Sequence, residues 1–306
     1  MGHILLFLSA AFFSLLITFP VLWGASYFKF KQSIRAEGPQ SHQSKSGTPT
    51  MGGIGFVLTV FIFVLIFIDL ELKPQYLAVL LLTLGYAGIG FADDWLKISR
   101  KQNLGLTFWQ KIILQTGFAA IFAVFLLGFK ENQSLLSLLF FCPFSIFIIV
   151  GTANATNLTD GLNGLLAGCA TIVFLALAIV ANKLGFVEAT TFSLIVAGAT
   201  VAFLYFNFPK AKLFMGDVGS LALGAALAGL AIVIHRELLL IVIGGVFVLE
   251  ALSVILQVGS YKLFKKRIFR MSPLHHHFEL MVIPEMYVVI GFWVVGLVFG
   301  IVGVFL

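Results

Sequence analysis

Residues Tyr76–Lys97 read YLAVLLLTLGYAGIGFADDWLK, an apolar run, Tyr76–Ala92, closed by two adjacent aspartates, Asp93 and Asp94. About 20 apolar residues cross the roughly 30 Å of bilayer hydrocarbon, so the run has the length of a membrane span. Ionised carboxylates beside hydrocarbon are costly and mark functional positions. The same combination recurs along the chain: Asp160 opens another apolar run, and Asp217 sits in the turn LFMGDVGS.

The whole sequence agrees with a membrane reading. It is 60% hydrophobic and only 10% charged, with a mean hydropathy of +1.08, which excludes an ordinary soluble domain. Apolar runs between charge clusters predict about ten transmembrane helices, near 4–28, 51–69, 75–93, 107–128, 134–151, 161–181, 187–207, 219–235, 238–261 and 284–306. The short alternating segments of a membrane β-barrel do not occur. The expectation is an all-α integral membrane protein whose residues 1–306 form a single polytopic domain. The first segment is too long for a signal h-region and lacks a basic start, so it is expected to stay as a helix.

Charge orients the chain. Fifteen of the 19 lysines and arginines lie in or beside the loops that follow odd-numbered spans; the other set holds only Lys73, Lys130, Lys183 and Arg236. By the positive-inside rule the first set is cytoplasmic, and both termini face outward. This bias accounts for most of the net charge of +6, so nucleic acid is not needed to explain it. Cys142 and Cys169 lie within spans and read as small core residues, with no disulfide implied.

That orientation gathers every unusual motif at the cytoplasmic face: Lys45–Gly53, Asp93-Asp94, Asn154–Gly161, Phe214–Asp217 and Pro273–Glu279. Four of these precede helices that start there, so free N–H groups and positive dipole ends point at the region, which suits phosphate. Asp93 and Asp94 are the opposite case, at a predicted helix C-terminus, where a divalent cation such as Mg²⁺ would relieve their repulsion. Each motif taken singly has a plainer reading. Asp160 and Asp217 read as N-caps, Asn154 and Asn157 as loop turns, and the glycines as packing positions. Three consecutive histidines cannot all point one way, so one or two of His275, His276 and His277 would act while the rest pack. Glu250, deep in the ninth span, reads as a buried hydrogen-bonded carboxyl that tunes helix packing. Together, four aspartates, a histidine cluster, helix starts and several lysines suggest phosphoryl transfer to a membrane-bound acceptor.

The strings KSGTPTMGG, GFADDWLK, NATNLTDGLNGL, FNFPKAKLFMGDVGSLALG and RIFRMSPLHHHFEL, in this order from Lys45 to Leu280, resemble the polyprenyl-phosphate N-acetylhexosamine-1-phosphate transferases. PTMGG and PLHHHFE resemble the muramoyl-pentapeptide branch in particular. The resemblance implies a Mg²⁺-dependent enzyme in which undecaprenyl phosphate attacks UDP-MurNAc-pentapeptide at the sugar-linked phosphate. The products would be UMP and a lipid-linked peptidoglycan intermediate. It also implies a multi-pass protein of the bacterial cytoplasmic membrane and a homodimer. Matched position by position, Asp93 is the proposed general base, Asp94 its acidic neighbour, Asp217 the metal-binding aspartate and His275 the catalytic or diphosphate-contacting histidine. Asn207 and Phe214 match uracil-site residues; Asn157, Asp160, Gly161, Leu162 and Asn163 line the nucleoside; Lys45, Thr50, Lys111, His276 and His277 match nucleotide, phosphate or supporting positions. One departure is Asn163, where the family motif usually reads TDGLDGL: the acceptor oxygen stays and the charge is lost. Two other readings remain open here. A sister transferase using another UDP-HexNAc shares the DD and NxxDG elements. An ion-coupled transporter would need carboxylates near the bilayer midplane, where only Glu250 fits.

Overall fold

A computed structural model describes residues 2–28, 30, 47–100, 102, 104–128 and 135–306. Lys45 lies outside these residues. Among the described residues every element is helical, and nine helices are long and apolar enough to cross a membrane. In chain order the twelve helices are α1 Gly2–Tyr27, α2 Gly53–Phe67, α3 Pro74–Arg100, α4 Phe108–Leu127, α5 Leu135–Thr159, α6 Leu165–Lys183, α7 Val187–Asn207, α8 Gly216–Val233, α9 Leu240–Ile243, α10 Gly245–Phe264, α11 Leu274–Glu279 and α12 Glu285–Phe305. The second predicted span is realised as α2, whose 15 residues rise only about 22 Å.

The bundle is built around α8, in which every residue from Val218 to Val233 is buried. Its sequence, GDVGSLALGAALAGLAIV, is dominated by small residues, and these let neighbouring backbones close in where lipid gives no hydrophobic drive. Gly90 of α3 abuts the Asp217 backbone, Gly53 of α2 abuts that of Gly219, and Gly224 abuts α5 at Ala153. A side chain at any of these three would collide with backbone. The outer helices carry the exposed apolar surface: Leu5 and Trp23 on α1, Trp109 and Ile121 on α4, Phe147 on α5, Ile255 on α10 and Val298 on α12.

Four boundaries depart from the sequence reading, and each matters for chemistry. Helix α3 continues to Arg100, so Asp93 and Asp94 stand inside it rather than at its C-terminus, and dipole repulsion is not what sets their environment. Helix α5 runs on to Thr159, which makes Asn154 and Asn157 helical residues and not loop turns. The ninth span is broken at Gly244, after a 3-10 turn at Glu237–Leu239 and the short α9. The segment Leu274–Glu279, with all three histidines, forms a short helix of its own.

Candidate active site

Three helix ends and the interior of α3 meet at one end of the bundle, and their side chains interlock. Asp93 and Asp94 come from α3, Lys111 from the first turn of α4, Asn157 from the last turn of α5 and Asp217 from the first turn of α8. The start of α4 is set by a capping box: the Thr107 hydroxyl accepts from Gln110 N, and the Gln110 side chain accepts from Thr107 N. That registers Lys111 toward the aspartates. Asp93 and Asp94 are 2% and 5% exposed, so this is a buried charge cluster and not a solvated helix end.

The cluster centres on Asp217. Its Oδ2 accepts from Lys111 Nζ at 2.7 Å and from Lys97 Nζ at 3.1 Å, and its Oδ1 accepts from Asn157 Nδ2 at 2.8 Å. Lys97 Nζ also lies 2.5 Å from Asp93 Oδ2 and 3.8 Å from Asp94 Oδ1. Backbone amides hold the remaining oxygens: Leu106 N donates to Asp93 Oδ1 at 2.8 Å and Val218 N to Asp94 Oδ2 at 3.3 Å. Buried carboxylates of like charge persist only when paired in this way. One ligand oxygen from each of Asp93, Asp94 and Asp217 lies within 4.8 Å of the others. Three hard carboxylate donors at that spacing fit a divalent cation of the Mg²⁺ type, and the two ammonium groups fit phosphate oxygens. Gly216, at φ +75°, lets the chain pass this point, because a Cβ there would strike the Asp94 carboxylate, Thr50 Oγ1 and Met51 N. Thr50 therefore borders the cluster.

Asp160 is not an N-cap. Helix α6 begins at Leu165 behind Gly164, and Asp160 stands in the turn that follows α5. Burial pushes its carboxyl up to about 7, and the Asp217 carboxylate adds to the rise. The group is thus largely neutral below that pH. The turn itself is braced on several sides. Gly164, at φ +78°, donates its N–H to Asn207 Oδ1 at 2.7 Å and accepts at its carbonyl from Trp293 Nε1 at 3.2 Å. Asn163 N donates to Glu285 Oε1 at 2.8 Å, and Asn163 Nδ2 donates to the Pro209 carbonyl at 3.3 Å, which leaves Asn163 Oδ1 buried with no bond among the described residues. Asn207 Nδ2 donates to Leu213 O at 2.9 Å, so its carboxamide ties this turn to the segment that carries Phe214. Phe214 in turn is laced by its backbone to Pro49 and Gly52. Leu162 is buried beside the turn.

The three histidines separate as their spacing requires. His275 is fully buried and turns inward, His276 Nδ1 lies 2.7 Å from Glu279 Oε2, and His277 Nδ1 accepts from Arg270 N at 3.1 Å. The His275 ring lies directly beneath Gly161, where a Cβ would run into Nε2, Cε1 and Cδ2. Because Glu250 grips that ring (His275 Nδ1 to Glu250 Oε2, 3.1 Å), it cannot swing aside. Gly161→Ala is therefore expected to cost about 1–3 kcal/mol through overpacking. Thermal unfolding of the detergent-solubilised variant checks this, and an unchanged midpoint would refute it.

The structure thus brings Asp93, Asp94, Asp217, Lys111, Asn157 and Thr50 together, and sets Asp160–Asn163, Asn207 and His275 around the adjoining turn. Sequence reasoning used Lys97 only for topology, although its positions i+3 and i+4 from the aspartates put it on their helix face. It missed Glu285 and Trp293 as braces of the turn, for which no local signal exists. It read Glu250 rightly as buried and hydrogen-bonded, but the partner is His275 and not a packing contact.

The profile of glycosyl transferase family 4 matches residues 76–235, just over half the chain and the part that holds the aspartates and the turn. The chain is 51% identical over 290 residues to the phospho-N-acetylmuramoyl-pentapeptide-transferase of Shouchella clausii, covering 91% of this chain and 89% of that one. It is 49% identical over 291 residues to the protein of that name from Bacillus pumilus and 47% identical over 289 to that of Bacillus subtilis, with the same coverage.

Proposed function

The chain belongs to glycosyl transferase family 4, among the phospho-N-acetylmuramoyl-pentapeptide-transferases, and from that premise we propose that it transfers phospho-MurNAc-pentapeptide from UDP-MurNAc-pentapeptide to undecaprenyl phosphate. The products are UMP and the lipid-linked intermediate of peptidoglycan synthesis. The observation that carries this reading is the buried junction of Asp93, Asp94, Asp217, Lys97, Lys111 and Asn157 at one end of a membrane bundle. The lysine and arginine bias supports assigning that end to the cytoplasm, where a nucleotide donor is available. At the far end of α6, Lys183 donates to Val304 O near the end of α12, so these two helix ends lie together away from the turn that opens α6.

In the proposed reaction an oxygen of undecaprenyl phosphate attacks the sugar-linked phosphorus as the bond from that phosphorus to the UMP oxygen breaks. Asp217, with Asp93 and Asp94 beside it, would hold Mg²⁺, which when bound would supply charge neutralisation to the diphosphate. Lys97 and Lys111 meet developing negative charge on the transferred phosphoryl oxygens, since both ammonium groups are already oriented by the aspartates. Asp93 accepts or orients the proton of the lipid phosphate. Asn157 fixes the Asp217 carboxylate, and its second contact, Ser220 Oγ at 2.8 Å, keeps the amide from rotating. The turn Asp160–Gly164 and Phe214 take the uridine, with Asn207 holding the two segments in register.

In detergent, UDP-MurNAc-pentapeptide plus undecaprenyl phosphate and Mg²⁺ should release UMP, and chelation with EDTA should abolish it. Donor without lipid acceptor should release none. Stoichiometric UMP from donor alone, with a phosphosugar left on the enzyme, would replace direct attack by a covalent aspartyl intermediate. Turnover of UDP-GlcNAc but not of the muramoyl donor would move the chain to a sister activity. Failure of both donors would overturn the transferase reading.

A further inference from the structure

Glu250 is an anomaly that the cluster of aspartates does not explain. It is fully buried in α10, in the apolar sequence GVFVLEALSVIL, where an ionisable group is expensive unless each oxygen is engaged. Both oxygens go to one residue of another element. Oε1 accepts from the His275 backbone N–H at 3.2 Å, and Oε2 faces His275 Nδ1 at 3.1 Å. The Ser253 hydroxyl bonds the Glu250 carbonyl at 2.7 Å, within the same helix.

His275 shows what this grip achieves. The ring is fully buried, and with Nδ1 on the carboxylate the remaining nitrogen, Nε2, has no hydrogen-bond partner among the described residues. That nitrogen is directed at Gly161, in the turn after α5. A carboxylate acceptor fixes Nδ1 as the protonated nitrogen, so Nε2 alone is free for a substrate atom. A side chain present only to fill space in α10 would not need two oxygens on one histidine. A histidine present only for packing would not leave a buried nitrogen unpaired toward the turn.

We propose that Glu250 is the positioning residue of His275: it fixes the backbone and the tautomer of the histidine so that Nε2 is presented to the phosphate groups of the substrate at the turn Asp160–Gly164. With Nδ1–H on the carboxylate, Nε2 carries the lone pair and accepts from a protonated phosphate oxygen or a hydroxyl of the substrate. The titratable neighbours of the pair are His276, whose ring centroid is 4.1 Å from that of His275, the Cys169 thiol of α6 facing Glu250, and Asp160 beside Gly161.

This inference rests on the transferase reading, and the parental protein tests that reading separately through its own UMP release. In an active preparation, Glu250→Gln, which keeps shape and removes charge, should lower kcat about 10- to 100-fold while KM for the UDP donor changes little. Combined with His275→Asn, it should cost nothing further, since both changes remove one function. Parental kcat in Glu250→Gln would overturn the proposal, and so would a full additional loss in the double variant. If Glu250→Gln does not yield folded protein, Glu250→Asp carries the test. It keeps the charge on a shorter arm, so kcat should fall with KM for the UDP donor little changed, and parental kcat would overturn the proposal.

Discussion

Asp217→Asn is expected to lower UMP release on the order of 10³-fold, the scale seen when one fixed electrostatic group is removed from a buried reaction site. The reason lies in how many groups depend on this one side chain. Lys97, Lys111 and Asn157 all donate to its two oxygens. An asparagine offers one acceptor oxygen and places its amide hydrogens against at least one of these donors. With all groups ionised, three carboxylates and two ammonium groups leave the cluster one negative charge in excess, and the substitution removes it. Cation affinity should fall with it, so raising Mg²⁺ should recover part of the lost rate. The Asp94–Val218 bond that ties α3 to the start of α8 does not involve the Asp217 side chain, so the variant should still fold. UMP release by the purified variant, alongside its thermal unfolding, checks the prediction. A rate within tenfold of parental would remove Asp217 from the centre of the site.

How much of this arrangement was legible in the sequence depends on the distance over which each signal acts. The spans were legible because hydrocarbon thickness imposes a length on every crossing helix, and α1, α4, α7 and α12 fall within a few residues of expectation. Helix ends at the site are not legible, because in sequence a charged residue after an apolar run reads as the place where a helix stops. Asp93 and Asp94 sit inside α3, and Asn157 inside α5, because partners from other helices neutralise or bond them. Those partners are far apart in sequence: Lys111 and Asp217 are separated by 106 positions and Asn163 and Glu285 by 122. The motif strings point to Asp93, Asp94, Asp217 and His275, and the structure brings the three aspartates together and sets His275 beneath the adjoining turn. Their supports were legible only where helical spacing applies, as for Lys97, and not where a tertiary contact decides, as for Glu250, Trp293 and Glu285.

Asp93→Asn tests the remaining step, the fate of the proton on the lipid phosphate, and its effect should depend on pH. A phosphate monoester has a second pKa of about 6. Below that value the acceptor arrives carrying a proton that Asp93 would take, and above it the acceptor is already a dianion. Loss of a general base typically costs about 10²–10⁴-fold. The deficit of Asp93→Asn should therefore be of that size near pH 6 and shrink steadily toward pH 9. The substitution isolates this role well. An asparagine keeps a carbonyl oxygen for Leu106 N, which now bonds Asp93 Oδ1 at 2.8 Å, so the α3–α4 connection should hold. Gly105 packs against the same carboxyl and leaves no room for the side chain to be displaced in that direction. What changes is Oδ2, the oxygen shared with Lys97 at 2.5 Å and Lys111 at 3.9 Å. Rates measured from pH 6 to 9 with saturating lipid acceptor separate the possibilities. A deficit that stays constant would assign Asp93 to holding the cation with Asp94 and Asp217, because that duty does not lapse when the acceptor loses its proton. Parental rates throughout would remove Asp93 from the chemistry and leave it as the residue that fixes Lys97.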